Sequence, residues 1–256
     1  MRYLKIPILL VWRAWFYVLM FTTIIIMVPF LLVLTAKEEY YHTFWKMIRI
    51  WAKIIVYGMG FRLDVEYEQK IEADKSYMFS ANHASFIDPF VMIVLSKNPI
   101  VFVGKKELVK IPIFGFFYRR VVIMVDRSNG QSRKNVYARA KKRLKNGVCM
   151  GIFPEGLVPD EDVILAPFKN GAFSLAIEFE IPIVVQTYYD PKRFFSWNFF
   201  KGRPGLLRIK QHEFLETKNL TQDNLEELKQ KTFDIIYNEL IHDEKYMEDT
   251  NRARKQ

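Results

Sequence analysis

The side chains best suited to proton transfer in this sequence are His83 and Asp88, which stand five positions apart. An imidazole that bonds a carboxylate through one ring nitrogen keeps the other nitrogen free to take a proton from a hydroxyl group, which activates that hydroxyl as a nucleophile. The spacing alone is weak support, because a His-x4-Asp arises by chance in about one chain in five of this composition. The assignment therefore depends on the setting of the pair and on further motifs.

A second candidate loop carries Glu155, within Phe-Pro-Glu-Gly at 153–156 and directly after a predicted strand. A strand that ends in a carboxylate and a glycine turn is typical of a loop that borders a site. Farther along, the segment 167–173 leads into a predicted helix and then into Ile-Pro-Ile-Val at 181–184. The carboxylate loop is therefore the second place where we expect a site residue.

Strand-like and helix-like segments alternate from residue 62 onward. The patterns predict strands over 62–67, 76–81, 100–103, 121–125, 148–153 and 181–188, and helices over 90–95, 105–109, 112–118, 132–146, 173–180 and 221–240. Asp88 is a suitable N-cap for the helix at 90–95, with Pro89 in its first turn. The alternation predicts a layered α/β domain with a largely parallel sheet flanked by helices. His83 then stands where a strand gives way to a helix.

The N-terminus is a different kind of segment, because residues 14–36 carry no charge. These 23 residues exceed the roughly 20 that a helix needs to cross a hydrocarbon core about 30 Å thick. Arg2, Lys5 and Arg13 precede the run as in a signal peptide, but the run is too long for one and lacks a small-x-small cleavage site. We interpret it as a retained membrane segment, whose helix Pro29 could kink or break.

Residues 40–57 form a second apolar segment, in which three basic residues share one helical face among Trp, Phe and Ile residues: Lys46, Arg49 and Lys53. This composition is typical of a helix at the headgroup boundary of an anionic bilayer. A full span and two antiparallel helices dipping into one leaflet both remain open. Gly58 and Gly60 end the arm. We expect an N-terminal membrane arm over 1–60, a catalytic domain over 61–245 and a polar tail over 246–256.

The composition restricts the partners of the chain, whose net charge is +10 and whose residues are 50% hydrophobic and 16% aromatic. A basic protein favours an anionic partner, such as nucleic acid, membrane phospholipid or a phosphorylated substrate. Nucleic acid is disfavoured, because it would leave the uncharged segment unexplained and no groove-reading or base-stacking motif is present. Seven basic residues of the predicted helix 132–146 could meet lipid headgroups or form an ordinary solvated face: Arg133, Lys134, Arg139, Lys141, Lys142, Arg143 and Lys145.

The single cysteine of the chain is Cys149, within a predicted apolar strand. One cysteine excludes an internal disulfide and a zinc site made of several cysteines. No cationic residue that would lower its pKa lies beside it in sequence, so we expect a buried and unreactive thiol.

Four blocks of the sequence closely resemble the glycerophospholipid acyltransferase family, and in particular bacterial 1-acylglycerol-3-phosphate acyltransferases. The blocks are Asn-His-x4-Asp at 82–88, Gly-Lys-Lys-Glu-Leu at 104–108 with the later Asp126-Arg127, Phe-Pro-Glu-Gly at 153–156, and Ile-Pro-Ile-Val at 181–184. Each block alone is common, whereas the four in this order are highly specific. The resemblance implies the glycerolipid acyltransferase fold, joined here to a two-helix membrane arm.

The resemblance also implies a reaction, the transfer of an acyl chain from a thioester to the sn-2 hydroxyl of lysophosphatidic acid, which gives phosphatidic acid in phospholipid biosynthesis. His83 would be the general base and Asp88 would hold its tautomer, so Cys149 is not required as a nucleophile. The implied substrate-binding residues are Asn82, Lys105, Arg127, Glu155 and Gly156, of which Lys105 and Arg127 would hold the phosphate.

Partners and location follow from the same resemblance. The acyl donor would be acyl-coenzyme A or an acyl carrier protein, and neither a metal nor a further cofactor is implied. Because acyl thioesters are made in the cytosol, we expect the domain at the cytoplasmic face of a bacterial inner membrane, among membrane phospholipids and its lysophospholipid acceptor.

The sequence departs from the family pattern after Gly156, where Leu157 and Val158 replace the usual Thr and Arg. That Arg is a phosphate contact in the family, and Lys169 is a nearby basic residue that could substitute for it. A lyso-aminolipid, which carries no phosphate, is therefore an alternative acceptor. A non-catalytic membrane adaptor is an alternative of another class, which the intact motif residues weaken. The apolar cluster at 111–118 could line an acyl-chain tunnel or pack in the core.

Overall fold

A seven-stranded sheet organises the part of the chain that the structure describes. The computed structural model describes residues 2–73, 75–105, 109–110, 114–125, 138–144 and 147–255. Its strands are β1 (Arg62–Tyr67), β2 (Met78–Ala81), β3 (Ile100–Lys105), β4 (Ile123–Val125), β5 (Cys149–Ile152), β6 (Ile183–Tyr188) and β7 (Leu206–Gln211). They lie in the order β1-β7-β6-β2-β5-β3-β4, and every neighbouring pair is parallel except β6 and β7. The predicted layered α/β architecture with a largely parallel sheet is confirmed.

Helices precede and follow the strands much as the sequence predicts. They are α1 (Arg2–Leu34), α2 (Tyr41–Gly58), α3 (Asp88–Leu95), α4 (Phe114–Val121), α5 (Gly171–Glu178), α6 (Pro191–Phe194), α7 (Leu225–His242) and α8 (Glu244–Arg254). A further helical segment covers 138–144. The helix predicted at 105–109 lies mostly outside the described residues, as do the first residues of the helices predicted at 112–118 and 132–146.

The three central strands β6, β2 and β5 bring the candidate loops together. They run parallel, with Met78 of β2 beside Ile183 of β6 and Met150 of β5. Every residue of β2 and β6 is buried, because a parallel strand is covered by packed elements on both faces of the sheet. The carboxyl ends of parallel neighbours meet at one edge, so the loops that follow these strands open on the same side of the domain.

The C-terminal residues fold onto the domain. Thr221 forms a capping box before α7, since its hydroxyl accepts the Asp223 N–H at 3.3 Å and its own N–H donates to the Asn224 side chain at 3.0 Å. Residues 246–256, predicted as a polar tail, instead continue helix α8 as far as Arg254. Tyr246 of this helix is buried and donates its hydroxyl to the Ile164 carbonyl at 2.7 Å. Met247 also packs against the core and Thr250 is buried, so one side of this helix is fastened to the domain.

The N-terminal arm is an antiparallel pair of helices. The indole of Trp12 in α1 donates to the carbonyl of Met59 at 3.0 Å, whereas the indole of Trp51 in α2 donates to Thr23 at 2.8 Å. Helix α1 continues through Pro29 without a break. Its stretch Ile6–Leu34 is long and apolar enough to cross a membrane by length and composition, and only 6% of its most apolar window is buried. The arm therefore presents a broad apolar surface outside the domain.

Helix α2 is less exposed than a headgroup-boundary helix would be. Trp45 and Trp51 are buried in the protein core, and the Arg49 guanidinium donates to the Val94 carbonyl at the end of α3 at 3.2 and 3.3 Å. Lys46 and Lys53 remain exposed. The predicted aromatic contact of this helix with headgroups is therefore wrong for the two tryptophans. Trp51 bonds Thr23 of α1 and packs on Phe90 of α3, and Trp45 lies in the same buried cluster.

Two further surface expectations change in the structure. Arg143, predicted on a basic outer face, is buried, with its guanidinium 3.7 Å above the ring of Tyr41 and 2.7 Å from the Glu38 carboxylate. In the apolar cluster at 111–118, Phe117 packs in the hydrophobic core, which favours the core interpretation for this residue. Residues 111–113 lie outside the described part of the chain.

Candidate active site

His83 and Asp88 meet in the loop that joins β2 to α3. The Nδ1 atom of His83 lies 2.8 Å from Oδ2 of Asp88. The same oxygen accepts the N–H groups of Ala84 and Ser85, each at 2.7 Å. The expectation that Asp88 is an N-cap is wrong, since α3 begins at Asp88 itself and its side chain turns back into the loop. The carboxylate therefore fixes both the imidazole and the backbone that carries it.

The free side of the imidazole is its Nε2 atom. Because the Asp88 carboxylate accepts at Nδ1, that nitrogen carries the proton and Nε2 keeps its lone pair. Among the residues that the structure describes, none forms a hydrogen bond to Nε2. The His83 side chain is 20% exposed, and its ring stacks on Phe153 at 4.3 Å. This arrangement holds a base at an accessible position in a fixed orientation.

Burial makes the negative charge of Asp88 costly. The carboxyl group is inaccessible to solvent, which raises its pKa, and the hydrogen bonds from His83, Ala84 and Ser85 oppose that effect. The three hydrogen bonds hold the carboxyl group in a fixed position against the imidazole.

Glu155, in the loop after β5, braces the His83 loop from the side. One carboxylate oxygen accepts the backbone N–H of His83 at 2.6 Å, and the other accepts the N–H of Ala166 at 2.8 Å. Burial raises the pKa of Glu155 to about 7, against the effect of these two hydrogen bonds. Since both oxygens already hold backbone groups, Glu155 positions the histidine backbone in this structure. The sequence predicted it as a substrate-binding residue.

Gly156 forms the tight turn after Glu155. Its φ angle is 71°, a left-handed conformation that favours glycine, and its N–H donates to the Phe153 carbonyl at 2.9 Å. The turn aims the carboxylate of Glu155 across the sheet edge at His83. This is a local reason for glycine at this position.

Three predicted substrate-binding residues remain, and the structure describes the side chain of only one of them, Asn82. Asn82 is buried, and its side chain donates to the Tyr188 carbonyl at 3.0 Å and accepts the Tyr188 N–H at 2.8 Å. Both ends of this amide therefore fasten the end of β2 to β6. Lys105 is the last residue of β3, while its side chain, like the whole of Arg127, lies outside the described residues.

Comparison with known proteins identifies the family and the fold of this domain. The acyltransferase family model matches residues 62–188, which include His83, Asp88 and Glu155. This chain belongs to the acyltransferase family. A crystal structure of the 1-acyl-sn-glycerophosphate acyltransferase PlsC from Thermotoga maritima superposes with a TM-score of 0.74 at 22% identity, over 93% of this chain and 95% of that one. The acyltransferase fold is thus shared.

Sequence relatives point in the same direction. A 1-acyl-sn-glycerol-3-phosphate acyltransferase of Borreliella burgdorferi is 26% identical over 71% of this chain and 73% of its own length. A chloroplastic protein of that name from Brassica napus is 28% identical over 61% of this chain. The acyltransferase chain spans 44% of the length of the Brassica protein and 43% of an Arabidopsis thaliana relative.

Two residues near the acyltransferase site were missed by sequence reasoning. Ser85 accepts the Ile87 N–H at 3.2 Å and donates its hydroxyl to the Phe195 carbonyl at 2.6 Å, so it ties the His83 loop to the loop after α6. Lys192 donates to the Val163 carbonyl at 2.6 Å, and burial lowers its pKa to about 8 against the negative charge of Glu155. The signal for Lys192 was its place just after the strand at 181–188.

Two other kinds of site, a reactive thiol and a metal centre, were sought in the described part of the acyltransferase. Cys149 is buried and its pKa is raised to about 12 by burial, which confirms the prediction of a buried, unreactive thiol. Among the described residues, no group of three or more His, Cys, Asp or Glu side chains could hold a metal ion.

Proposed function

We propose that this protein transfers an acyl chain from a thioester to the sn-2 hydroxyl of lysophosphatidic acid and so forms phosphatidic acid. The observation that carries the proposal is the His83–Asp88 pair, with Nε2 open at the sheet edge of an acyltransferase domain. The names of its relatives from several organisms support the acceptor.

In the proposed reaction, Nε2 of His83 removes the proton of the acceptor hydroxyl while the oxygen attacks the thioester carbonyl. Asp88 keeps Nδ1 protonated and stabilises the resulting imidazolium. Collapse of the tetrahedral intermediate breaks the C–S bond, and the departing thiolate takes the proton back from Nε2. No covalent acyl-enzyme forms, so the buried Cys149 has no step to perform. The donor is acyl-coenzyme A or an acyl carrier protein.

The phosphate of the acceptor needs cationic groups, since Leu157 and Val158 stand where the family has Thr and Arg. We propose that Lys105 and Arg127 supply them, as expected from the sequence, and that Lys192 is a third candidate because it is a partly buried cation on which the charge of Glu155 acts. One observation favours the alternative of an unphosphorylated lyso-aminolipid, namely that Leu157 is 46% exposed and apolar in this loop.

We further propose that the arm lies in one leaflet at the cytoplasmic face. Arg13 near the start of α1 binds the carbonyl of Ser196, while Leu31 near its end is buried with Tyr41 and Phe44. These two contacts are about 27 Å apart along the helix axis, which is close to the thickness of the hydrocarbon core. If α1 spanned the bilayer, the polar domain beside it would have to enter the hydrocarbon. Cleavage of a C-terminal tag by protease outside intact cells would contradict this arrangement.

An acceptor panel tests the proposed function. Purified full-length protein in phospholipid vesicles receives a labelled acyl thioester together with lysophosphatidic acid, a monoacylglycerol or a lyso-aminolipid. We expect labelled phosphatidic acid as the main product, and its formation should depend on His83. A main product from the lyso-aminolipid would move the proposal to the alternative acceptor. No product with any acceptor or either donor would favour the non-catalytic adaptor.

A further inference from the structure

A short loop after α6 is unusually rich in aromatic residues. Residues 195–200 read Phe-Ser-Trp-Asn-Phe-Phe, and we refer to them as the aromatic loop. Trp197 is 54% exposed and Phe200 is 66% exposed, and Phe199 is exposed as well. Soluble surfaces rarely display several large aromatic side chains side by side unless something binds them.

The aromatic loop adjoins the loop that carries the candidate base. Trp197 stacks on Phe86 with ring centroids 3.7 Å apart, and Phe86 is itself exposed. The carbonyl of Phe195 accepts the hydroxyl of Ser85 at 2.6 Å. Phe86 and Ser85 lie between His83 and Asp88 in sequence. Trp197 and Phe195 contact that segment directly. The exposed aromatic surface therefore borders the mouth of the candidate active site.

The aromatic loop is also fastened to helix α1 of the arm. Arg13 is only 3% exposed, and its guanidinium donates to the carbonyls of Ser196 at 2.8 Å and Asn198 at 3.0 Å. The same guanidinium lies 4.4 Å from the ring centre of Phe195. A buried arginine that binds loop carbonyls holds the loop against the helix, because breaking those bonds would leave a buried charge unpaired.

The neighbouring face of α1 is apolar and open. Ile6 lies seven residues before Arg13 and Tyr17 lies four residues after it, so both are on the same side of the helix as Arg13. Their side chains are 48% and 41% exposed. This face belongs to the stretch that is long and apolar enough for a membrane. Trp and Phe side chains prefer the boundary between headgroups and acyl chains. The aromatic loop thus continues the apolar surface of the arm up to the site.

We propose that the aromatic loop is a second membrane-docking element, which inserts Trp197, Phe199 and Phe200 into the phospholipid interface beside α1. The bilayer then closes against the rim of the His83 loop, and a lipid substrate reaches the site without crossing water. The claim about membrane contact stands without the proposed function, whereas the claim about substrate access rests on it.

Depth-dependent quenching tests the contact. Full-length wild-type protein and the Trp197→Phe variant are reconstituted in phosphatidylcholine vesicles with brominated acyl chains, and the difference between their emission spectra isolates Trp197 from the other four tryptophans. We expect the Trp197 component to lose at least about half of its intensity on bromination and to resist aqueous acrylamide. A component quenched by acrylamide and unaffected by bromination would overturn the proposal.

A matched control places a tryptophan on the other face of the sheet. Lys231 is exposed on α7, whose buried residues pack on the opposite side of the sheet from those of α3. In the Trp197→Phe background, the Lys231→Trp variant should add emission that acrylamide quenches and brominated lipid does not. Equal quenching of this tryptophan by brominated lipid would overturn the proposal, because the contact would not be specific to the aromatic loop.

The access claim is tested by activity. Phe200→Ser should lower acyl transfer to lysophosphatidic acid embedded in vesicles by about tenfold, which corresponds to losing the burial of part of one aromatic ring. With a water-soluble short-chain acceptor, the same variant should keep wild-type activity within about twofold. Equal losses with both acceptors would contradict the access role. If wild-type protein has no acyltransferase activity, the proposed function fails while the quenching result still decides membrane docking.

Discussion

Two histidines of this protein, His83 and His212, lie near acidic residues but differ in which of their ring nitrogens have a partner. His83 holds Asp88 through Nδ1 at 2.8 Å and leaves Nε2 open among the described residues. His212 is 5% exposed, with Nε2 at 2.8 Å from the Thr187 hydroxyl and Nδ1 at 3.7 Å from the Glu68 carboxylate. Only the first arrangement leaves a lone pair for a substrate.

The difference arises from where each histidine stands on the sheet. His83 follows the carboxyl end of β2, where the chain leaves the sheet and its side chain meets solvent. His212 directly follows β7 and its N–H still donates to the Val185 carbonyl of β6 at 3.0 Å, so its ring stays between strands. Burial lowers the pKa of His212 and keeps the ring neutral. A general base needs one ring nitrogen that is held by a hydrogen bond and a second ring nitrogen that can accept a proton from the substrate. Of these two histidines, only His83 has both, because of its position on the sheet.

The largest expected effect is that of removing the base. His83→Ala should lower kcat for acyl transfer by about 10³-fold, which is within the range of general-base contributions. The rate is to be measured with purified protein, a labelled acyl thioester and saturating acceptor. Activity within tenfold of wild type would remove His83 from the reaction and end the contrast with His212.

A smaller loss is expected when the orienting carboxylate is replaced. Asp88→Asn keeps the size of the side chain but removes the charge that holds Nδ1 protonated, and an amide can turn its NH₂ group toward the ring and favour the other tautomer. We expect kcat to fall by about 10²-fold with little change in KM. Asp190→Asn serves as a control, since Asp190 is a buried carboxylate that binds Arg208 instead of a histidine. Equal losses of kcat in both variants would assign the Asp88 effect to folding.

Glu155→Gln should cost about tenfold in kcat, because the amide accepts one of the two backbone N–H groups that the carboxylate now holds. The stability effect should depend on pH. Burial raises the pKa of Glu155 from 4.5 to about 7, so its contribution to the free energy of unfolding is complete below pH 4.5 and is lost as pH rises through 7.

Because Gln does not titrate, the stability advantage of wild type over Glu155→Gln should shrink as pH rises from 4.5 to about 7. Urea unfolding in detergent at several pH values measures the difference. An advantage that grows over this range would show that the carboxylate is held in its charged form, contrary to the effect of burial.

The smallest effect on turnover is expected at the second histidine. His212→Gln should keep kcat within about twofold of wild type, since no step uses this ring. Burial lowers the pKa of His212 below 6.5, so its contribution to stability is present above pH 6.5 and is lost as pH falls through that value. On acidification, the Tm of the variant should therefore fall by less than the Tm of wild type. A large loss of kcat in folded His212→Gln protein would contradict the proposed difference between the two histidines.

Much of the catalytic region could be predicted from local sequence. Strands with buried runs, such as 181–188, and the strand-to-helix junction at His83 follow from hydrophobic periodicity and from Pro89. The helix predicted over 221–240 follows from the same local periodicity. The joint occurrence of the motif blocks predicted the family. These inferences succeeded because the responsible contacts lie within a few residues along the chain.

Long-range contacts account for what the sequence did not reveal. Arg13 resembled the basic flank of a membrane segment, yet it binds carbonyls more than 180 residues away. Trp45 resembled a headgroup contact and is buried, because the pairing of α2 with α3 decides which face is covered. The backbone partners of Glu155 were hidden as well, because N–H groups leave no trace in residue types.

The most direct test of the account is the protonation of the two ring nitrogens of His83. The protein is labelled with ¹⁵N in its histidines, and spectra are recorded at about pH 8.5, above the usual range for histidine titration. Subtraction of the His83→Gln spectrum isolates the signals of His83. The account predicts a protonated Nδ1 and an unprotonated Nε2 for this residue. A proton on Nε2 with a bare Nδ1 would contradict it, because the exposed nitrogen could then no longer accept the proton of the acceptor hydroxyl.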